Sequence, residues 1–221
     1  MEGTVDNNPM QTSPYSHIVH GQSMEIIPSF QLDSGVVLKN VPVAYKTWGT
    51  LNADGSNCMI LCHALSGSAD AEDWWCPLFG PGKPFDASVF FIFCGNVLGS
   101  PYGSASPCTI NPDTGKDYGP LFPMTTVRDD VAIHKRVLDN LGVKSVLFAI
   151  GGSMGGMQVL EWAFVHDATH ETNALPFKPF VQNIVPIATS GRHSAWCISW
   201  GEAQRQSIYS DPNYSINTIS L

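Results

Sequence analysis

Residues 144–164, KSVLFAIGGSMGGMQVLEWAF, decide the fold. The run from Val146 to Ile150 is apolar and rich in β-branched and aromatic residues, which reads as a buried strand. It leads directly into Gly151-Gly152-Ser153-Met154-Gly155, and a helical pattern starts immediately afterwards. A strand, a sharp turn and a helix thus follow one another, with a serine at the turn. Such a turn holds its serine in a strained backbone conformation that lifts Oγ above the sheet edge, and small residues two places to either side keep it from clashing. Gly151 and Gly155 take those places. The helix points its first N–H groups at the same spot, which makes Ser153 the expected nucleophile and the N–H of Met154 an expected oxyanion donor. A phosphate cradle fits less well: no lysine follows the glycines, and a dinucleotide fingerprint needs a third glycine at different spacing.

The G-x-S-x-G spacing between a strand and a helix resembles the nucleophile elbow of the α/β-hydrolase fold. The rest of the chain agrees with that class. Residues 24–30 and 36–48 read as an antiparallel hairpin across Leu32-Asp33-Ser34-Gly35. Residues 57–63 (NCMILCH) form a short apolar run suited to a central strand covered on both faces, and residues 89–94 form another. A long Gly- and Pro-rich loop continues to about Met124, Thr126 caps a helix that Gly142 stops, and residues 181–188 (VQNIVPIA) read as the next parallel strand despite Pro186. A helix is expected over 199–208. Strands alternating with helices imply an α/β fold with a mostly parallel central sheet and an N-terminal β-hairpin, about six strands in all. Residues 1–23 are polar and read as a flexible tail, with 24–221 as the folded part.

The chain has 221 residues and a formal net charge of -8, and its 11 basic residues form no run, so general nucleic-acid binding is not expected. The N-terminus lacks the basic and apolar regions of a signal peptide, and no apolar stretch approaches the ~20 residues of a membrane span. Six cysteines without a C-x-x-C pair read as free thiols, with Cys58, Cys62 and Cys94 inside apolar runs.

A serine nucleophile needs a general base, normally a histidine oriented by a carboxylate, and in this fold both come from loops after later strands. His166, His170 and His193 follow Ser153 too closely for that place, and His166 and His170 read as surface residues. The second oxyanion donor comes from the loop after an early central strand, here His63-Ala64-Leu65-Ser66-Gly67, which singles out the N–H of Leu65. His63 itself reads as a structural histidine under that loop.

Taken together, His63-Ala64-Leu65-Ser66-Gly67-Ser68-Ala69-Asp70 with Asp73-Trp74-Trp75, Gly99-Ser100-Pro101-Tyr102-Gly103-Ser104, Val127-Arg128-Asp129-Asp130-Val131, the elbow, and Ala188-Thr189-Ser190-Gly191-Arg192-His193-Ser194-Ala195-Trp196-Cys197 resemble the homoserine O-acetyltransferase family in its fungal form. The resemblance implies a ping-pong route: Ser153 takes the acetyl group of acetyl-CoA, Leu65 and Met154 hold the oxyanion, and the hydroxyl of L-homoserine then attacks. It implies acetyl-CoA as co-substrate, no resident cofactor or metal, no nucleic-acid or membrane partner, a cytoplasmic setting, and a homodimer for the full-length parent. Trp74, Trp75 and Tyr102 read either as an apolar entrance that keeps water from the acyl-enzyme or as core aromatics. Family members continue through a helical lid and last strands that carry the catalytic Asp and His. Residues 215–221 (SINTISL) leave the family pattern, and the connection 166–179 is longer than expected, so the chain reads as C-terminally truncated, without the catalytic Asp and His of the family, and is expected to lack acetyltransferase turnover on its own. Alternatives are a related O-acetyltransferase acting on serine or deacetylcephalosporin C, a non-catalytic remnant, and a plain hydrolase.

Overall fold

The computed structural model describes residues 13–165, 179–212 and 214. His166 and His170, nearly all of the connection 166–179 and the closing SINTISL therefore lie outside the described residues, as do the first twelve residues of the expected tail. In chain order the elements are β1 (Ser23–Gln31), β2 (Val37–Trp48), β3 (Cys58–Cys62), α1 (Ala71–Trp75), β4 (Phe91–Gly95), a small hairpin of β5 (Ile110–Asn111) and β6 (Lys116–Asp117), α2 (Val127–Asn140), β7 (Val146–Gly152), α3 (Met154–Trp162), β8 (Val181–Ile187) and α4 (Ala195–Tyr209). They fall into two compact units, Met1–Thr189 and Ser190–Leu221.

The first unit is built on a six-stranded sheet in the order β1-β2-β4-β3-β7-β8. The strands β4, β3, β7 and β8 are parallel, and the β1–β2 hairpin joins antiparallel through β2 to β4. Every residue of β3 is buried, because its side chains alternate between two covered faces. Cys58, Ile60 and Cys62 join a core with Val137, Leu138, Val159 and Trp162 of α2 and α3. Met59 and Leu61 point the other way, toward Phe79, Phe85 and Ile92, with Trp75 packed against them. Burying each large aliphatic side chain here contributes about 1.5–3 kcal/mol, so β3 is the energetic centre of the sheet.

Helix α2 begins in a capping box. The Asp129 N–H donates to Thr126 Oγ1 at 3.2 Å, and the Thr126 N–H donates to Asp129 Oδ2 at 2.8 Å. The other oxygen of Asp129 accepts the Asp33 N–H at 2.7 Å, so the turn of the hairpin is fastened to the helix start. Gly142, at φ 88°, ends the helix as expected. Pro186 lies opposite Gly151 in the β7–β8 register, and β8 is the outermost strand among the described residues, where a missing N–H is tolerated. Its Ile184, Val185 and Ile187 are exposed.

Residues 13–22 are more tightly held than their polar composition predicts. Ser13 and Val19 are buried, and the Gln22 side-chain amide donates to the carbonyls of Ser16 at 2.9 Å and Tyr102 at 2.8 Å. One side chain meeting a loop 80 residues away is invisible to local composition. All six cysteines are free, and burial pushes the Cys58, Cys62 and Cys94 thiols up, Cys62 to about 12.

In the second unit, α4 starts at Ala195, four residues before the expected 199, because the Ser194 hydroxyl accepts the Cys197 N–H at 3.3 Å and caps it there. None of its described side chains is buried, and Trp196 and Trp200 meet edge to face at 5.9 Å. Among the described residues no helix is long and apolar enough to cross a membrane.

Candidate active site

Ser153 stands between β7 and α3 with φ 55° and ψ -119°, a conformation that costs a non-glycine residue on the order of 1–3 kcal/mol. The surroundings over-determine it. The Ser153 N–H donates to the Ile187 carbonyl at 3.0 Å, and the Ser153 carbonyl accepts the Met157 N–H at 3.2 Å and the Thr189 hydroxyl at 2.8 Å. The side chain itself is exposed. A Cβ on Gly151 would sit 2.5 Å from the Gly155 carbonyl oxygen, and one on Gly155 would lie 2.7 Å from the Cys62 carbonyl carbon and 2.9 Å from the His63 oxygen. A Cβ on Gly156 would strike Thr189 at 2.6 Å, whereas one on Gly152 would meet nothing nearer than 3.9 Å. The glycines flanking Ser153 at two places are thus required by backbone contact, as the sequence spacing implies.

The sheet order places this turn where ligands bind in open α/β sheets. The chain runs from β3 outward to β4 on one side and later returns to β7 on the other, so a crevice opens at the carboxyl ends of β3 and β7. Cys62 faces Gly151 across that pair. The loop that follows β3 therefore begins beside the elbow. Leu65 is on this loop with its side chain 74% exposed, and the Gly67 N–H closes the turn onto the Ala64 carbonyl at 2.9 Å. Met154 is the first residue of α3, and its N–H has no acceptor within the helix. Ser153, Leu65 and Met154 are in this way brought to one end of the sheet.

Beneath them runs a buried polar network. His63 is fully buried, its Nδ1–H donating to the Ala64 carbonyl at 2.8 Å and its Nε2 accepting the Val97 N–H at 3.3 Å. Both ring nitrogens are thus taken, burial pushes the imidazole pKa down, and the residue serves the loop. Asn96, also fully buried, links more elements than any motif in the sequence announces. Its Oδ1 accepts the Ala69 N–H at 2.7 Å, and its Nδ2 donates to Gln22 Oε1 at 2.9 Å and to the Tyr102 carbonyl at 3.2 Å. Its own carbonyl accepts from the Ser104 hydroxyl at 2.7 Å and from His134 Nε2 at 3.0 Å. Only its place between a buried strand and a Gly-rich loop hints at this. Thr189 carries no sequence signal of its contact at all.

Burial pushes the His134 imidazole down to about 4 and the Asp130 carboxyl up to about 7. In an unfolded chain they titrate near about 6.5 and about 3.9. Between about pH 4 and 6.5 the unfolded state carries the extra proton at His134, so that group's contribution to stability is lost as pH falls. At Asp130 the folded state carries it, so that contribution is lost as pH rises from about 4 to about 7. The two slopes oppose each other. Asp130→Asn keeps an acceptor for the Leu98 N–H, which Asp130 binds at 2.8 Å, and is expected to give stability a clear rise with pH across this window. Urea unfolding at a series of pH values checks it; an unchanged slope would sink the account.

A cavity of about 540 Å³ opens beside the same loop, lined by Val19, Ser66, Asp70, Asp73, Trp74 and Tyr102 among others. Asp70 is paired with Lys46 at 2.8 Å. Of the three aromatic residues read together in the sequence, Trp74 and Trp75 meet each other at 4.4 Å and both pack against the second core cluster. Trp74 and Tyr102 face the cavity, while Trp75 packs 5.3 Å from Phe85 in the second core cluster. Among the described residues no three His, Cys, Asp or Glu side chains converge to hold a metal ion.

A profile of the alpha/beta hydrolase fold family matches residues 57–219. Homoserine O-acetyltransferase of Schizosaccharomyces pombe is 60% identical over 205 residues, which cover 93% of this chain and 40% of that protein. An acetylester hydrolase from Corynebacterium glutamicum superposes with a TM-score of 0.75 at 26% identity, covering 93% of this chain and 55% of that one. Homoserine O-acetyltransferase from Bacillus anthracis does so with 0.70 at 27% identity, covering 88% and 53%. This chain thus spans about 40% of the length of the curated relatives it matches. With the strained serine turn, the parallel sheet and the matched profile in agreement, the chain belongs to the alpha/beta hydrolase fold family and is similar within it to the homoserine O-acetyltransferases.

Proposed function

We propose that the protein transfers an acetyl group from acetyl-CoA to the hydroxyl of L-homoserine through an acetyl-serine at Ser153. The observation that carries this reading is the positive φ of Ser153 at the carboxyl end of β7, beside the loop that holds Leu65. The close likeness to the fission-yeast enzyme supports the choice of substrates. Ser153 gives up its hydroxyl proton to a general base as Oγ attacks the thioester carbonyl, the N–H groups of Leu65 and Met154 stabilise the oxyanion, and CoA leaves as the thiol with that proton. The homoserine hydroxyl, losing its proton to the same base, then attacks the acetyl-serine, and O-acetylhomoserine departs as the proton returns to Ser153 Oγ. Neither His63 nor His134 is the base, since their buried rings are bound to backbone groups. The same reading makes acetyl-CoA a co-substrate rather than a resident cofactor and sets the reaction in the cytoplasm.

A second reading, hydrolysis of acetyl esters, is favoured by the likeness to the Corynebacterium acetylester hydrolase. Trapping separates the two. The intact protein is treated with an activated acetyl ester, Ser153 is checked for the acetyl group by peptide mass mapping, and release is followed on adding L-homoserine, L-serine or buffer alone. Faster release by homoserine with formation of O-acetylhomoserine is the expected result, and Ser153→Ala is expected to abolish labelling. Release by buffer at the same rate supports the hydrolase instead.

A further inference from the structure

The peptide unit joining Ser153 to Met154 carries two jobs at once. Its N–H, on Met154, is the oxyanion donor of the reading above, on which this inference rests. Its C=O, on Ser153, accepts the Thr189 hydroxyl at 2.8 Å and the Met157 N–H at 3.2 Å. Because the peptide is planar, whatever fixes the direction of the C=O fixes the N–H on the opposite side. A donor on the oxygen also polarises the amide and strengthens its N–H as a donor. The chain is bent to bring Thr189 there. Ala188, directly after β8, sits at φ 47°, a left-handed conformation unfavourable for alanine. Thr189 then packs against Gly156, where any Cβ would strike it.

We propose that Thr189 is a positioning residue for acyl transfer: through the Ser153 carbonyl it aims and polarises the Met154 N–H, without touching the substrate. The positive φ of Ser153 and of Ala188 sets the direction of the two ends of this contact, and the surrounding contacts sustain that strain. A hydroxyl at this position is required, while the methyl group serves packing alone.

The test measures acylation of Ser153 by an activated acetyl ester in the intact protein, in wild type, Thr189→Val, Thr189→Ser and Ser153→Ala. Thr189→Val keeps the shape and removes the hydroxyl; it is expected to lower the acylation rate constant about tenfold with the half-saturating ester concentration unchanged. Thr189→Ser is expected to restore most of the rate. Equal rates in wild type and Thr189→Val overturn the proposal, as does a serine variant as slow as the valine one, which would make the role packing. Labelling of wild type that persists in Ser153→Ala overturns the nucleophile reading itself, and this inference with it. A loss in Thr189→Val that appears as weaker ester binding, or a lower urea midpoint large enough to populate unfolded chain, assigns Thr189 a structural role and also overturns it.

Discussion

Gly155→Ala is expected to destabilise the first unit by at least about 3 kcal/mol and to remove acylation of Ser153. The added Cβ would press into the Cys62 carbonyl group and lie 2.9 Å from the His63 oxygen. Both are backbone atoms, so no rotamer change relieves the contact. Neither strand can retreat, because Cys62 is paired with Gly151 in the ladder and β3 is hemmed in by β4 and β7. What yields must be the elbow, and with it the geometry of Ser153. Gly152→Ala is the matched control: it ends β7 on the other side of Ser153, yet its Cβ would meet only the Ile187 oxygen, at 3.9 Å, so a change within about 1 kcal/mol is expected. Urea midpoints for both variants, with acetyl labelling of Ser153, check the contrast. Similar midpoints for the two would contradict the packing argument.

Asn96→Ala is expected to cost about 2–4 kcal/mol, since truncation leaves the buried Ala69 N–H, Gln22 Oε1 and the Tyr102 carbonyl short of partners, and an orphaned buried group costs about 1–3 kcal/mol. The losses share one side chain and will not add. Asn96 ties the end of the Leu65 loop, the 96–104 loop and residue 22 to one point, so the variant should also expose amides of 64–70 to faster hydrogen exchange. Asn96→Asp retains an acceptor for the Ala69 N–H but places a carboxylate in a fully buried site; it is expected to fall no nearer to wild type than the alanine variant at neutral pH. Denaturant unfolding with hydrogen exchange read by mass spectrometry decides this. An Asn96→Ala protein as stable as wild type would show that the network contributes nothing net.

The elbow was legible because its chemistry is local. A strand, two glycines and a helix start all fall within a few residues, and the same holds for the capping box of Thr126 and Asp129. That β3, β4 and β7 run parallel followed from apolar runs separated by crossovers, whereas their order in the sheet did not. Contacts that span the chain were not legible. Gln22 belongs to a polar segment that composition assigns to a tail, and only its partner on the distant 96–104 loop gives it a place. Asn96 reads as a turn residue until five groups from four segments are seen to meet on it. Thr189 follows a strand and resembles any connecting residue; its role depends on Ala188 turning the chain back across Ser153. The start of α4 was missed for a simpler reason, since a cap at Ser194 outweighs a weak apolar pattern.

Strand β3 lies next to β4, which is soon made, and next to β7, which the ribosome reaches more than eighty residues later. At ordinary synthesis rates one edge of the most apolar strand then waits on the order of ten seconds for its partner. During that interval its free backbone groups and the apolar faces of Ile60 and Leu61 are open to wrong pairings, so the yield of correctly folded protein should depend on what shields the nascent chain as much as on the stability of the finished sheet.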